Sequence, residues 1–339
     1  LVPAALIGLD ITTLLDRADS MRDQCASMAP DQKNPGAWLG TTLGTLALQG
    51  RDKLTLVISP SIASFGLWAE QLIAESTGKE GRGIIPVVDE PLVDPTSYGD
   101  DRQFVYLRLE GDDNAHTDAS IAALESSGQP LVRLALRDVH DLGAEFFRWQ
   151  FATAVAGAIL GIHPFDQPNV QQAKDETVHG LQEHQASGQL PKVDAPNSLS
   201  DLMSTARLGD YLAITAYIRQ TLETDQALTD LRRIITDHHG IATTLGYGPR
   251  FLHSTGQVHK GGPDSGIFLQ LTTDHPIDIP VPGESYTFGM LVDAQALGDL
   301  RVFQALGRRV ARVRLPSASE TEIGQLADQV GTTPSRSTT

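Results

Sequence analysis

Residues 53–88 read KLTLVISPSIASFGLWAEQLIAESTGKEGRGIIPVV and change twice between two hydrophobic patterns. Lys53 to Ser59 is a short apolar run typical of a buried strand, and Ile84 to Val88 is a second one. Between them, Ser61 to Ala74 carries large apolar residues at helical spacing, and Gly78 is a natural stop just beyond. A strand, a helix and another strand in this order are typical of a parallel sheet covered by helices.

The same alternation continues on both sides of this stretch. The pattern predicts strands at 104–109, 131–136, 241–245, 267–271 and 310–315, and helices at 34–48, 118–126, 142–162, 166–185, 287–297 and 320–330. Leu208 to Asp237 reads as a helical block, residues 187–198 read as a loop, and we find no internal repeat of fixed period. The expected fold class is therefore α/β, with a parallel sheet flanked by helices on both faces and an added helical block.

The composition limits the classes of partner. With 339 residues and 40% hydrophobic content, the chain can bury a large core and form one or two domains. Its 42 acidic and 26 basic residues give a net charge of −16, which repels nucleic acid and anionic membrane surfaces. The longest apolar run, Ala152 to Ile162, is too short to cross a bilayer. A single cysteine, Cys25, suits a reducing compartment, so we expect a cytoplasmic protein.

Glu75 is the first candidate for chemistry. On a helix it shares the apolar face of Trp68 and Leu72, and it lies in the last turn, where the helix dipole disfavours negative charge. Both effects predict a raised pKa, which suits a base that removes a proton next to a carbonyl. The alternative is a frayed helix end with Glu75 turned to water.

A second group of candidates comes late in the chain. Lys174 falls near the packing face of its helix, where it either snorkels to water or stabilises a developing oxyanion. His253 and His259 lie on either side of Gly256-Gln257, in a stretch rich in turn formers that can hold a phosphate or sugar hydroxyls.

Other cofactor motifs are weak or missing. His238-His239 suggests zinc, but the single cysteine and the lack of HExxH spacing argue against a metal site. The sequence has neither GxGxxG nor GxxxxGK[ST], so nucleotide binding has no motif behind it.

Three segments together resemble phosphoglucose isomerase. They are AESTGK at 74–79, LGIHPFDQP at 160–168 and HSTGQ at 253–257, and the resemblance covers roughly residues 1 to 315. It implies the sugar-isomerase (SIS) type of parallel α/β fold and the interconversion of glucose 6-phosphate and fructose 6-phosphate in glycolysis and gluconeogenesis. It also implies a sugar-phosphate substrate, no metal or organic cofactor, and a possible homodimer.

The resemblance also implies roles for individual residues. Glu75 corresponds to the base that moves a proton between C1 and C2 through a cis-enediol. Lys174 and His253 correspond to residues that open the sugar ring and steady its oxygens, and His259 is a rival to His253. Substrate-binding roles fall on His259, Gln257, Ser254 and Lys260. We expect Glu75, Lys174 and His253 to face one cleft.

The sequence departs from the usual isomerase pattern. The histidine segment comes last, an order that resembles the isomerase half of proteins in which a transaldolase precedes the isomerase. Asn169 stands where many members have glycine, and His163 where many have asparagine. A first SIS subdomain with a Gly-Gly-Arg segment and a phosphate-binding loop would precede Leu1, so we expect a fragment that is weakly active alone.

The expected domain plan follows from that alignment of segments. Residues 1–33 would be the remnant of a preceding SIS subdomain, 34–330 the SIS-type isomerase domain with a helical insertion at about 165–237, and 331–339 a disordered tail. Two other functions stay open: a non-catalytic phosphosugar-binding module, and a metallohydrolase built on His238, His239 and His253.

Overall fold

A computed structural model describes residues 1–26, 34–166 and 170–331. The chain divides into two compact units, one formed by residues 1–89 and 101–166 and the other by residues 90–100 together with the chain from 167 onward. The predicted tail after 331 and the predicted helix start at Gln167-Pro168 lie outside the described residues, as does Asn169.

The first unit is an α/β layer structure. Its helices and strands, in chain order, are α1 Val2–Leu6, α2 Ile11–Ala26, α3 Pro35–Leu48, β1 Lys53–Ile58, α4 Phe65–Thr77, β2 Ile85–Val88, β3 Arg102–Leu109, α5 Ala115–Ser126, β4 Leu131–Leu136 and α6 Leu142–Leu160. The four strands form a parallel sheet in the order β2-β1-β3-β4. Strands β1 and β3 are buried almost throughout, as expected for a parallel sheet covered on both faces.

Local sequence explains the ends of several of these elements. Asn34 caps α3 by accepting a hydrogen bond from the backbone N–H of Ala37 at 2.8 Å, and Pro35 occupies the first helical position. Helix α6 ends at Gly161, which adopts a left-handed conformation with φ of 71°. Trp149 of α6 is fully buried in the core between the sheet and its helices.

The second unit has its own sheet. Its elements are α7 Val170–Ser187, α8 Leu199–Ser204, β5 Tyr211–Tyr217, α9 Leu222–His239, β6 Ala242–Tyr247, α10 Gly256–Gly261, β7 Gly266–Thr273, α11 Phe288–Ala305, β8 Arg309–Leu315 and α12 Glu320–Gly331. The strands are parallel and follow the order β6-β5-β7-β8. A separate apolar core packs against this sheet from α8, α9 and α12.

The fold class is confirmed, with one change in the number of sheets. The described residues form two four-stranded parallel sheets flanked by helices, whereas the sequence predicted a single sheet. The two sheets have the same strand order. In each, the strand that comes first in the chain lies at an inner position, and the second strand lies beside it at the edge of the sheet. The units therefore share a topology although their sequences show no repeat, because topology depends on element order and burial rather than on residue identity.

The predicted helical block at Leu208 to Asp237 is wrong over its first part. Tyr211–Tyr217 is a fully buried strand at an inner position of the second sheet, between β6 and β7. A strand buried on both faces shows no alternation of polar and apolar residues, so its sequence resembles that of a buried helix. The second part of the block, α9, is helical as predicted.

The predicted loop at 187–198 is confirmed, since α7 ends at Ser187 and α8 begins at Leu199. Among the described residues, we find no helix with the length and apolar character that crossing a membrane requires.

Candidate functional site

Glu75 lies in the last turn of α4 in the first unit and is partly buried. The amide of Gln71, one turn earlier, donates to Glu75 Oε2 at 3.4 Å. The end of this helix is held in place by Thr77, whose buried hydroxyl donates to the carbonyl of Ile73 at 2.7 Å and accepts from the backbone N–H of Ile84 at 3.0 Å. The carboxylate therefore stands on a fixed helix end, and its raised pKa stays a prediction.

Lys79 joins two of the three motif segments within the first unit. Its side chain is 2% exposed, and its ammonium lies 2.9 Å from Asp166 Oδ1 and donates to the carbonyl of His163 at 2.8 Å. Nearby, the guanidinium of Arg82 donates to the carbonyl of Leu160. Lys79 thus links the turn after Glu75 to His163 and Asp166. The sequence analysis assigned no role to Lys79.

Lys174 and His253 line one cavity in the second unit. The cavity has a volume of 310 Å³, and its walls come from α7, α10, α11 and the segment that follows β6. Lys260 also lines the cavity. The remaining lining residues carry no charge: Thr177, Val178, Leu181, Leu252, Gly256, Tyr286, Leu291 and Gln295. Two of the three predicted catalytic residues are therefore brought together, and the cleft shared with Glu75 stays a prediction.

His259, the rival to His253, lies in the core. It is 3% exposed, its Nδ1 is 3.0 Å from the hydroxyl of Tyr211, and its ring packs edge-on against Phe268 with centroids 5.3 Å apart. Desolvation lowers the pKa of His259 to about 3, with smaller contributions from the positive charges of Lys260 and Arg308. The imidazole is therefore neutral at physiological pH and packs as a core residue.

The other predicted binding residues lie on α10 or just before it in the chain. Ser254 and Gln257 are both buried, and the hydroxyl of Ser254 donates to the carbonyl of Phe251 at 3.3 Å. Lys260 lines the cavity, and its ammonium lies 2.7 Å from Asp299 Oδ1. Sequence reasoning missed Asp299, although an isolated acid in the apolar run ALGDL of α11 is a signal that could have found it.

Of the three histidines behind the metal alternative, His253 lines this cavity, whereas His238 and His239 are not among its lining residues. His238 and His239 end α9, with His238 exposed and His239 buried. Across residues 1–26, 34–166 and 170–331, we find no cluster of three or more histidine, cysteine or acidic side chains that could hold a metal ion.

Comparison with solved structures gives alignments over nearly the whole chain but with low scores. A hypothetical protein from Thermus thermophilus has a TM-score of 0.35, with 14% identity, 94% of this chain covered and 87% of that chain covered. A glucose-6-phosphate isomerase from Chlamydia trachomatis has a TM-score of 0.27, with 13% identity, 94% of this chain covered and 78% of that chain covered. Both TM-scores are too low to support a conclusion about the function of this chain.

Sequence comparison gives curated relatives, although no family model matches the chain. A glucose-6-phosphate isomerase from Leptospira biflexa is 26% identical over 212 residues, which cover 52% of this chain and 47% of the relative. Proteins with the same name from Enterococcus faecalis and Rubrobacter xylanophilus are 25% and 28% identical, over 51% of this chain and 47% and 49% of their own lengths.

The chain spans about half the length of the curated relatives that it matches. The match covers less of the chain than residues 1 to 315, the extent expected from the motifs. The transaldolase fusion stays a prediction. The resemblance itself is confirmed: over about half of its length, the chain is homologous to proteins named glucose-6-phosphate isomerase.

Proposed function

We propose that this chain is an aldose–ketose isomerase that interconverts glucose 6-phosphate and fructose 6-phosphate through a cis-enediol. One observation carries the proposal: Lys174 and His253, which are far apart in sequence, line one cavity of 310 Å³. The names of the curated relatives supply the substrate class. The cytoplasmic location, the homodimer and the transaldolase-bearing parent belong to the same proposal.

The proposed chemistry moves one proton between two carbons and one between their oxygens, and it needs no net oxidation. Glu75 removes the proton from C2 of the open-chain aldose, the electron pair forms the C1–C2 double bond, and the carbonyl oxygen at C1 takes up a second proton to become a hydroxyl. Return of a proton to C1, with loss of the proton from the oxygen at C2, gives the ketose. Lys174 and His253 act before and during this step, by opening the sugar ring and by stabilising charge on its oxygens.

Replacement of Glu75 tests the proposal against a non-catalytic sugar-phosphate-binding module. In Glu75→Gln we expect turnover to fall roughly 100-fold or more, the usual scale of a lost general base, with sugar-phosphate binding retained. The assay measures isomerisation of fructose 6-phosphate and, separately, binding by titration calorimetry. Glu80→Gln is a matched control, because Glu80 is an exposed glutamate in the turn that follows α4. Unchanged turnover in Glu75→Gln would rule out the base assignment.

A further inference from the structure

A buried ion pair lies at the cavity of the second unit. Lys260 on α10 and Asp299 on α11 are 3% and 0% exposed at their side chains, and Lys260 Nζ lies 2.7 Å from Asp299 Oδ1. The ammonium also lies 5.5 Å from the ring centroid of Phe303. Burial raises the pKa of the Asp299 carboxyl, and the adjacent ammonium opposes that rise.

Gly256 lies beside the side chain of Lys260 in the lining of this cavity. Lys260 and Gly256 both line the cavity, and a Cβ atom built on Gly256 would lie 3.5 Å from Lys260 Nζ. A methyl group at this position would therefore stand beside the ammonium.

The backbone around Lys260 is also fixed. The guanidinium of Arg308 donates to the carbonyls of Lys260 and Gly262 at 3.0 and 2.8 Å, and to the carbonyl of Pro263 at 2.9 Å. Asp299 therefore contacts the end of the Lys260 side chain, and Arg308 supports the main chain that carries it. A charge that is fixed before a ligand arrives costs little reorganisation when the ligand binds.

The lining of the cavity has the charge of an anion-binding site. Lys174, His253 and Lys260 line it, and the described lining includes no carboxylate, in a chain whose net charge is −16. Gln295 also lines it, and the buried side-chain oxygen of this residue has no hydrogen-bond partner among the described residues. A buried ion pair adds little stability over apolar residues of the same size, so stability alone gives weak reason for this pair.

We propose that Lys260 binds an anionic oxygen of the substrate in this cavity and that Asp299 is the positioning residue that holds its ammonium there. The hydroxyl-bearing ligand would also donate to the free oxygen of Gln295. The identity of the substrate as a sugar phosphate rests on the proposed function, whereas the presence of an anion site does not. The anionic oxygen belongs either to the phosphate group or to the enediolate at C1 and C2.

The test measures binding of two probes to the 339-residue chain by NMR titration. Inorganic phosphate represents the phosphate group, and a five-carbon aldonic acid without phosphate represents the enediolate. We expect saturable binding of at least one probe, weakened roughly 10- to 100-fold in Lys260→Met, which is the scale of a lost charged hydrogen bond. No saturable binding of either probe to the unsubstituted chain would overturn the proposal.

A double variant guards against loss of folding. Lys260→Met leaves a buried carboxylate without its counter-ion, so the double variant Lys260→Met/Asp299→Asn, which removes both charges, is measured beside it. We expect the same loss of binding in both. Wild-type affinity in the folded double variant would contradict the role of Lys260.

Asp299 and Gly256 are tested separately. In Asp299→Asn we expect weaker binding, because the ammonium is no longer held in position, and unchanged or tighter binding in the folded variant would contradict the positioning role. In Gly256→Ala the added methyl should obstruct Lys260 and weaken binding. Gly324→Ala in α12, where an added Cβ has nothing within 4 Å, is the matched control.

The outcomes separate this inference from the proposed function. Lys260-dependent binding together with unchanged turnover in Glu75→Gln would reject the base assignment and leave the anion site standing. Normal binding in the Lys260 variants would reject the anion site, whatever Glu75→Gln shows.

Discussion

At the scale of single residues, His253 and His259 lie close in sequence but in different surroundings. His253 lines the cavity with Lys174, where an imidazole can meet a ligand. His259 packs between Tyr211 and Phe268, where solvation of a charged ring is lost. The same side chain therefore has a chemical role open to it at one position and a packing role at the other.

The burial of His259 predicts a pH dependence of stability. The unfolded chain protonates this histidine below its ordinary pKa of 6.5, whereas the folded chain does not until about pH 3. The unfolded state therefore binds more protons in this window, and the unfolding free energy falls by up to about 1.4 kcal/mol per pH unit as the pH drops from 6.5 towards 3. Above pH 6.5 the effect is absent.

Comparison with His259→Gln isolates this contribution. Glutamine keeps an acceptor for the hydroxyl of Tyr211 but does not titrate, so the stability difference between wild type and variant should shrink as the pH falls from 6.5 to about 4. Urea unfolding at several pH values measures it, and His116→Gln, at an exposed histidine of α5, is the control. A difference that stays constant over this range would show that His259 is not held neutral by burial.

At the scale of elements, side-chain contacts link the end of α4 to the segment that follows α6. The buried ammonium of Lys79 contacts His163 and Asp166, and the hydroxyl of Thr77 links the last turn of α4 to the start of β2. These contacts fix the helix end that carries Glu75. Positioning of a base on a rigid element is what proton transfer requires.

Lys79→Met tests this connection. Methionine keeps much of the apolar stem but loses the hydrogen bond to the His163 carbonyl, so the unfolding free energy should fall by about 1 to 3 kcal/mol. Amide exchange of residues 78–82 should accelerate at the same time. Lys192→Met, at an exposed lysine of the loop before α8, is the control. Equal stability and exchange in Lys79→Met and wild type would show that the contact does not hold the helix end.

Elements with a clear local pattern were predictable from the sequence. Strand Leu131–Leu136 has the predicted bounds, and α3 begins one residue after its predicted start and ends at its predicted end. Strand Tyr211–Tyr217 was missed because it is buried on both faces and contains leucine and alanine, which also suit helices.

The candidate site was predictable only in part. Glu75, Lys174 and His253 were selected by their motif segments, whereas nothing local distinguishes His253 from His259. The difference depends on Tyr211 and Phe268, which are distant in sequence. The pairing of Asp299 with Lys260 was missed because the two residues lie on different helices. Long-range contacts of this kind leave little trace in local spacing.

At the scale of the whole molecule, two units with the same strand order carry different parts of the proposed chemistry. Glu75 belongs to the first unit, and Lys174, His253 and Lys260 belong to the second. The proposal assigns them to one reaction. A direct assay of proton transfer tests the first step of that reaction without relying on net formation of product.

Exchange of the C2 hydrogen of glucose 6-phosphate with solvent deuterium reports on proton removal by Glu75 itself. Reversible removal of that proton by Glu75 should place deuterium at C2 even where net isomerisation is slow, and proton NMR follows the loss of the C2 signal. We predict exchange by the wild-type chain, and exchange slowed roughly 100-fold or more in Glu75→Gln. Equal exchange rates in the two proteins, or no exchange by the wild type above the rate in buffer, would contradict the account.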